Sequence, residues 1–383
     1  MEEKNKMKLQ NHIVAFSQAY PDVAPLIEKF SDYWNHYRSE QEGVKNLSFK
    51  TMGVRDGKDV MITFADKEEV LNREFRETVY KLSGIQNPSI LPEIAWSSHP
   101  LVGWYTYAVI SAMIDAVLPE TLIQNIGLWT DVRTIGFGDS AVFNIEPRDL
   151  FVVSKAGRGK RQAEMQKTFN GQVAILPENR QMTVGVALYR VLSGAESLAR
   201  FASKAVRSME TQVALDAYNT FNTAMLALSA TPGNGQLKAT GWSQDTFVNF
   251  AQKVSAWNGG AKAMAIGTQR AMQQVLPDDA NYRYELDSEY VKLGYIKNFF
   301  GYDGLVLPQV ADWTSPFGLA LNDDVIYIMS PAAQKPVKLV LEGVTLSYTN
   351  GQFDAANLTQ TTTFQKSWGQ AIATNAVAAC ITV

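Results

Sequence analysis

The residues whose spacing could most directly do chemistry are two adjacent acid pairs, Asp278-Asp279 and Asp323-Asp324. Two carboxyls held together can work as acid and base on a glycosidic bond, or hold magnesium. One pair follows Pro277 and the other precedes the strand-like run VIYIMS, and acids in such places more often cap helices or mark turns. The three histidines, His12, His36 and His99, all fall in the first hundred residues. The rest of the chain therefore lacks the side chain most used for proton transfer near neutral pH and for metal binding. The lone Cys380 excludes an internal disulfide framework and a zinc cluster of cysteines, and it fits a reducing compartment. GFGDSA at Gly136 opens like a dinucleotide-binding fingerprint, but strand-like residues and Pro147 follow where a helix is required. Phosphate-loop, HExxH, GxSxG and calcium-loop patterns are absent. These residues argue against an enzyme and imply no cofactor or metal, with a carboxylate-dependent hydrolase as the alternative.

The chain that must position them has 383 residues, 46% of them hydrophobic and 19% charged, enough to fill a sizeable core across two or three domains. Its net charge of −3 gives no global attraction to nucleic acid or anionic membrane. The start, MEEKNKMKLQ, has no signal-peptide core, and the apolar stretch Leu101 to Leu118, interrupted by Asp115, falls short of a bilayer span and reads as a buried helix. The sequons at Asn46 and Asn357 mean little without secretion.

The first 130 residues are helical in patches. In PDVAPLIEKFSDYWNHYR, Leu26, Ile27, Phe30, Tyr33, Trp34 and Tyr37 share one helical face. A second helix is expected from a cap at Asp66 with Glu69 three residues on, ending near Gly84, with Val70, Leu71, Val79 and Leu82 facing inward. Such helices serve as local core or as docking segments for another protein. From Thr134 the period moves toward two: Ile135 to Ile145, Leu150 to Val153, Phe169 to Leu176 and Met182 to Leu188 read as strands. Between them, SKAGRGKRQAEMQK carries Lys155, Arg158, Lys160, Arg161 and Lys167 against Glu164 alone. The whole reads as a long hairpin with a basic tip. Lacking a third strand or helix over its apolar face, it needs a neighbour. The tip has no aromatic residue to stack on bases, so ionic contact with protein or solvent suits it better than nucleic-acid binding.

Ser193 followed by Glu196 forms a capping-box pattern, and no proline then appears until Pro232. Apolar residues at steps of three and four predict one helix of about 35 residues, on the order of 50 Å long. The alternatives are two helices broken near Asn219 or a coiled coil. An alternating α/β stretch follows: a helix capped by Ser243 or Asp245 with Phe247, Phe250, Ala251 and Val254 on one face, the strand AMAIG, a helix from Thr268 to Leu276, and two strands around a turn at Tyr302, Asp303 and Gly304. VIYIMS, VKLVLEG, TQTTTF and AVAACITV read as later strands, with a hairpin signal at Asn350-Gly351. Charge is uneven. From Arg148 to Arg207 eleven cations face four acids. From Asp278 to Asp324 nine acids, including Asp278, Asp279, Glu285, Asp287 and Glu289, face three cations. Opposed patches permit head-to-tail contact between copies, and solvated loops are the plainer alternative.

The order of these elements, carried by SGAESLARFASKAVRSMETQVALDAY, AMAIGTQRAM, LGYIKNFFGYDGLVLPQV, DDVIYIMSP and FQKSWGQAIATNAVAACITV, resembles the major capsid proteins of tailed bacteriophages with the Hong Kong 97-type fold. The resemblance covers Thr134 to Val383. It implies an α+β chain divided into an N-terminal helical region or N-arm (1–131), an extended hairpin or E-loop (132–190), the spine helix of a P-domain (191–236), an A-domain (237–330) and a β-rich return of the P-domain (331–383). The N-terminal part matches less and suits an extended arm, a scaffold-like segment or both. The implied function is structural: self-assembly into hexamers and pentamers of an icosahedral shell around a phage genome. Scaffolding and portal proteins are implied partners, with packaged DNA contacted non-specifically and no membrane. The implied location is the virion capsid, assembled in the host bacterial cytoplasm. An encapsulin-like nanocompartment shell would use the same fold. Some family members cross-link a hairpin lysine to a distant asparagine. Lys155, Lys160 and Lys167 lie in the corresponding hairpin, but no residue identifies the asparagine, and cross-linking is not expected.

Overall fold

Apolar residues at helical and strand spacing generate the elements in chain order, in a computed structural model that describes residues 20–383 except 46, 56–57, 88, 92–93, 96–97, 100, 128, 146–170, 188–196, 234, 278–292, 313–315, 332–333 and 350–358. Helix α1 (Val23–Gln41) buries the expected face of Leu26, Ile27, Phe30, Tyr33 and Trp34. Strands β1 (Met52–Arg55) and β2 (Lys58–Met61) form a two-stranded ribbon. Helix α2 (Phe64–Leu82) begins earlier than the Asp66 cap predicted. Thr63 is the cap: its hydroxyl accepts the Asp66 N–H at 3.3 Å and its own N–H donates to the Asp66 carboxylate at 3.0 Å. Leu71 and Val79 face inward with Phe75 and Tyr80, whereas Val70 and Leu82 are only half-buried.

Helix α3 (Leu101–Ile126) continues beyond Leu118, through Pro119. By length and composition it could cross a membrane, yet 78% of its most apolar stretch is buried inside the protein. Strands β3 (Thr130–Ile135), β4 (Ala141–Ile145), β5 (Gly171–Ile175) and β6 (Glu178–Ala187) lead to the long helix α4 (Leu198–Leu226). Its 29 residues span about 44 Å without a break at Asn219. The helix is shorter than expected because its cap is Ser197, extended at φ −84° and ψ 129°, whose side chain accepts the Arg200 N–H. Ser193 and Glu196 lie outside the described residues. Ala199, Ala202, Ala205 and Ala217 on its buried face let other elements approach closely.

The remaining elements are β7 (Lys238–Thr240), α5 (Gln244–Trp257), β8 (Met264–Thr268), α6 (Gln269–Met272), β9 (Asn298–Phe299), β10 (Tyr302–Leu307), β11 (Ala311–Asp312), β12 (Gly318–Leu319), β13 (Val325–Met329), β14 (Val337–Glu342), β15 (Leu346–Thr349), β16 (Thr359–Ile372) and β17 (Ala379–Thr382). Ser243 precedes α5, and its face of Phe247, Phe250, Ala251 and Val254 is buried as expected. α6 stops at Met272, short of Leu276.

Two larger sheets organise the chain. In the first, β16 pairs antiparallel with β6 on one side and with β14 and β15 on the other, and β14 continues in parallel to β3. Between the pairs Leu341↔Trp368 and Leu346↔Gln365 the β14–β15 path takes five steps against three on β16, so Gly343 to Thr345 bulge out of the ladder. The second sheet has the order β7-β17-β13-β8-β10-β9. The C-terminal strand thus lies in the second sheet, apart from β14 and β16, the other strands of the 331–383 stretch in the first. Ala379, Cys380 and Ile381 are all fully buried and need cover on both faces. Between β13 and β7 they find it: Cys380 joins the core shared with α4, and Ala379 and Ile381 join the core under α5. The buried hydroxyls of Tyr218 on α4 and Tyr327 on β13 meet at 3.0 Å, tying the long helix to the second sheet.

The bulge is held from below. Asp115 on α3 accepts the Thr345 N–H at 2.8 Å, the Thr345 hydroxyl and the ammonium of Lys366 on β16, whose Nζ also reaches the Thr345 hydroxyl at 3.2 Å. All three residues are buried. Replacing Lys366 by Met strands a buried carboxylate and is expected to cost about 3–5 kcal/mol in chemical denaturation. The double variant Asp115→Asn/Lys366→Met keeps an acceptor for the Thr345 N–H without the charge, and should lose clearly less. Equal losses would show that the charge pairing is not what holds α3 to the sheet.

Candidate inter-subunit surfaces

The residues singled out as contacts, Lys155, Arg158, Lys160, Arg161 and Lys167 at the hairpin tip and Asp278, Asp279, Glu285, Asp287 and Glu289 opposite, all lie outside the described residues, as does Asn350-Gly351. The hairpin's base is described. β4 and β5 pair antiparallel from Ala141↔Ile175 to Ile145↔Gly171, and among the described residues neither strand joins another sheet. The base is not bare, contrary to expectation: Ala141, Phe143 and Ile175 pack on Val340 of the first sheet. The Arg133 guanidinium lies 4.2 Å from the centre of the Phe143 ring, and the Lys338 ammonium lies near the same ring while bonding Asp131 at 3.4 Å. Burial draws the Lys338 pKa down despite Asp131. At Gly369 the arm crosses the sheet so closely that a Cβ would sit 2.6 Å from the Leu176 carbonyl oxygen. The far side is open, with Phe137, Val142 and Leu176 exposed. The outer face of the pair carries exposed Val142 and Ala174 beside exposed Asn144 and Gln172, so the arm is fixed at its root and open on its outer side.

The second sheet ends in exposed aromatics. The β9–β10 turn lies at Phe300 and Gly301, two residues before the expected position, because Tyr302 and Asp303 already pair with Phe299 and Asn298. Phe300 takes φ 49° with its ring exposed, a costly backbone state for a bulky residue. At the same end of the sheet, where β8 and β10 begin side by side, Lys262 bonds Asp303 at 2.8 Å, which holds that carboxyl below its ordinary pKa. Trp257, closing α5 just before β8, is 73% exposed. Phe317, beside the β11–β12 pair, takes φ 57° and is fully exposed. Sequence patterns gave no sign of these strained residues, because positive φ outside glycine leaves no mark in periodicity.

A third feature joins the N-terminal helices to the long helix. Arg38 of α1, almost wholly buried, donates to Gln124 at 2.6 Å and Asn125 at 2.7 Å in the last turn of α3, and more weakly to Glu42. Asn125 in turn donates to Glu210 of α4, while Arg207 reaches Glu42 and Tyr37. Burial is the main cause that pushes the Glu210 carboxyl up to about 7. Arg38, Arg207 and Asn125 oppose the shift, and Glu42 adds to it.

His36, Asp323 and Asp324 each have partners within the fold. His36 bonds Glu40 at 2.9 Å and stacks on Phe49. Asp323 accepts from Gln309 at 2.7 Å, and the Asp324 N–H donates to Asn322, as residues of a turn do. Among the described residues no group of three or more His, Cys, Asp or Glu is placed to hold a metal.

No family model matches the chain, and no curated protein matches it. Among solved structures it is similar to the capsid of a native GTA particle, at 12% identity over 67% of this chain and 89% of that chain, with a TM-score of 0.48. It is also similar to the mature capsid of bacteriophage PhiM1, at 9% identity over 66% and 85% with a TM-score of 0.46. A virus-like particle from Pyrococcus furiosus is similar at 11% identity over 69% and 97%, with a TM-score of 0.40.

Two outcomes test these surfaces. Gly369→Ala forces the arm's root off the sheet and should cost about 1–3 kcal/mol while opening the arm to proteolysis. Unchanged stability would mean that the close approach is not fixed. For Glu210, the folded-state pKa lies above the ordinary 4.5, so the folded chain holds this proton more tightly than the unfolded chain. The associated stability is complete below about pH 4.5 and is lost as pH rises through about 7. Glu210→Gln should flatten that slope and raise stability at pH 8 by up to about 3 kcal/mol, read from denaturation curves across pH.

Proposed function

We propose that this chain is the shell subunit of an icosahedral capsid, the major head protein of a tailed bacteriophage with the Hong Kong 97-type fold, and acts structurally rather than as an enzyme. The observation that carries the reading is the β4–β5 arm, a two-stranded excursion rooted on the chain's own sheet at Phe143 and Gly369, whose outer face of Val142, Ala174, Asn144 and Gln172 stays exposed, with exposed Phe137 and Leu176 flanking the strands. A free-standing molecule gains nothing from displaying such an arm, whereas a tile in a shell has neighbours on every side to cover it. The exposed Phe300 of the second sheet, Trp257 at the end of α5 and Phe317 beside β12 extend the same argument. Obligate assemblies bury more than about 2,000 Å² per interface, and identical contacts repeated around a closed shell sum to high stability.

In this reading the helices up to residue 131 form an N-terminal region and residues 132–190 the extended hairpin. The long helix in 191–236 is the spine of a P-domain, 237–330 forms an A-domain, and 331–383 the return, whose last strand enters the A-domain sheet. The basic tip, Lys155, Arg158, Lys160, Arg161 and Lys167, docks on the acidic patch of Asp278, Asp279, Glu285, Asp287 and Glu289 of a sister copy. Hexamers and pentamers, helper scaffolding and portal proteins, non-specific contact with packaged DNA, and assembly in the host cytoplasm belong to the same proposal.

Electron microscopy of the expressed protein should show closed particles, and a monodisperse monomer at high concentration would overturn the reading. Tailed or DNA-filled heads from infected cells separate it from a protein-loaded nanocompartment. Reversing Arg158, Lys160 and Arg161 to Glu should abolish particles and leave the denaturation midpoint of the unassembled subunit unchanged. Normal particles from that variant would remove the tip from the interface.

A further inference from the structure

Lys366 is an amine held beside a carboxylate in a dry site. It stands on the core face of β16 between Phe364 and Trp368, and its side chain, like those of Asp115 and Thr345, is buried. Among the described residues its ammonium bonds the Asp115 Oδ1 and the Thr345 hydroxyl and nothing else. Desolvation makes a buried ion pair an expensive device. An amide between the two groups removes both charges and keeps the same tie.

The two carboxyl oxygens are held differently. Oδ2 accepts the Thr345 N–H at 2.8 Å, so a backbone donor released by the bulge faces the oxygen on which charge gathers when an amine adds to the carboxyl carbon. Oδ1 accepts the Thr345 hydroxyl, whose oxygen lies 3.2 Å from the Lys366 Nζ. One hydroxyl therefore touches both the nitrogen that must lose protons and the oxygen that must gain them. Packing confines the groups to this arrangement, and burial excludes the water that would reverse an amide bond.

We propose that Lys366 and Asp115 condense to an amide within one chain, with Thr345 as proton relay and charge-stabilising donor. The ion pair is the unreacted state. Nζ attacks the Asp115 carboxyl carbon, a C–N bond forms and the C–Oδ1 bond breaks. Of the three protons on Nζ, two pass to Oδ1 by way of the Thr345 hydroxyl, which ends unchanged, and the third remains as the amide N–H. Oδ1 leaves as water and Oδ2 stays as the carbonyl oxygen, so the step needs no co-reactant. The bond ties the chain across 251 positions and restricts the unfolded state as a disulfide does, in a chain whose lone Cys380 can form no internal disulfide.

The intact mass of the full chain, purified folded and measured in denaturant, tests this. It should fall below the mass of the sequence by one water, and proteolysis should release a branched peptide joining the segments around 115 and 366. Lys366→Met should keep its full mass. Thr345→Val keeps the N–H and loses the hydroxyl, and its loss of water, followed after cell-free synthesis, should be slower by ~100-fold or more. A natural chain at full mass would overturn the amide and leave the ion pair standing, and water lost without the branched peptide would overturn it as well. Loss at an unchanged rate in Thr345→Val would remove the relay. Neither readout depends on assembly.

Discussion

One buried carboxylate ties the first half of the chain to the second. Asp115 sits in the apolar helix α3, where charge is expensive, and it is matched there by Lys366 and by the N–H and hydroxyl of Thr345. The Thr345 N–H belongs to the bulge where the β14–β15 path outruns β16, so it has lost its ladder partner. Asp115 supplies the missing acceptor and Lys366 the missing charge. The register of the first sheet and the seating of α3 are thereby set by the same atoms. Pro119 stands four residues on and cannot donate to the Asp115 carbonyl, yet the helix continues because packing on α4 and on the sheet confines it.

From that anchored layer everything else is hung. α4 lies against α3 through its alanines, and α1 and α2 close over both, with the Arg38 to Glu210 network as the polar seam. The opposite face of the sheet receives the root of the β4–β5 arm at Val340 and Gly369. The second sheet is joined to the first through α4, where Tyr218 meets Tyr327 and the Cys380 thiol donates to the Met225 carbonyl. Burial at that junction pushes the Cys380 thiol up to about 11, so it behaves as a packed side chain rather than a nucleophile. Among the described residues, what stays open are the arm's outer side, the aromatic rings of Trp257, Phe300 and Phe317, and the edge of β6. These are surfaces that association, rather than chemistry, would use.

Periodicity was a good guide wherever one side of an element is buried locally. The stripe of α1, the face of α5 and the strands at Met264, Val325 and Val337 follow from spacing alone, because burial imposes a repeat that is visible in composition. Element ends were less legible. The caps at Thr63 and Ser197 compete with nearby Ser, Asp and Glu that offer the same local chemistry, and only the extended φ and ψ of the true cap decides between them. The turn at Phe300 was displaced because Tyr302-Asp303-Gly304 is a good turn sequence that the parallel pairing of β10 with β8 draws into a strand.

By itself the sequence determined the mixed α+β class, the long helix, the hairpin arm and the scarcity of residues suited to catalysis, since each is a matter of composition or of short-range repeat. Tertiary structure alone decided that Asp115 meets Lys366 across 251 positions, that the arm's root is covered by the chain's own sheet, and that β17 abandons the first sheet for the second. Such pairings depend on which buried faces find one another in space. A pattern along one dimension holds the need for a partner but not the partner's address.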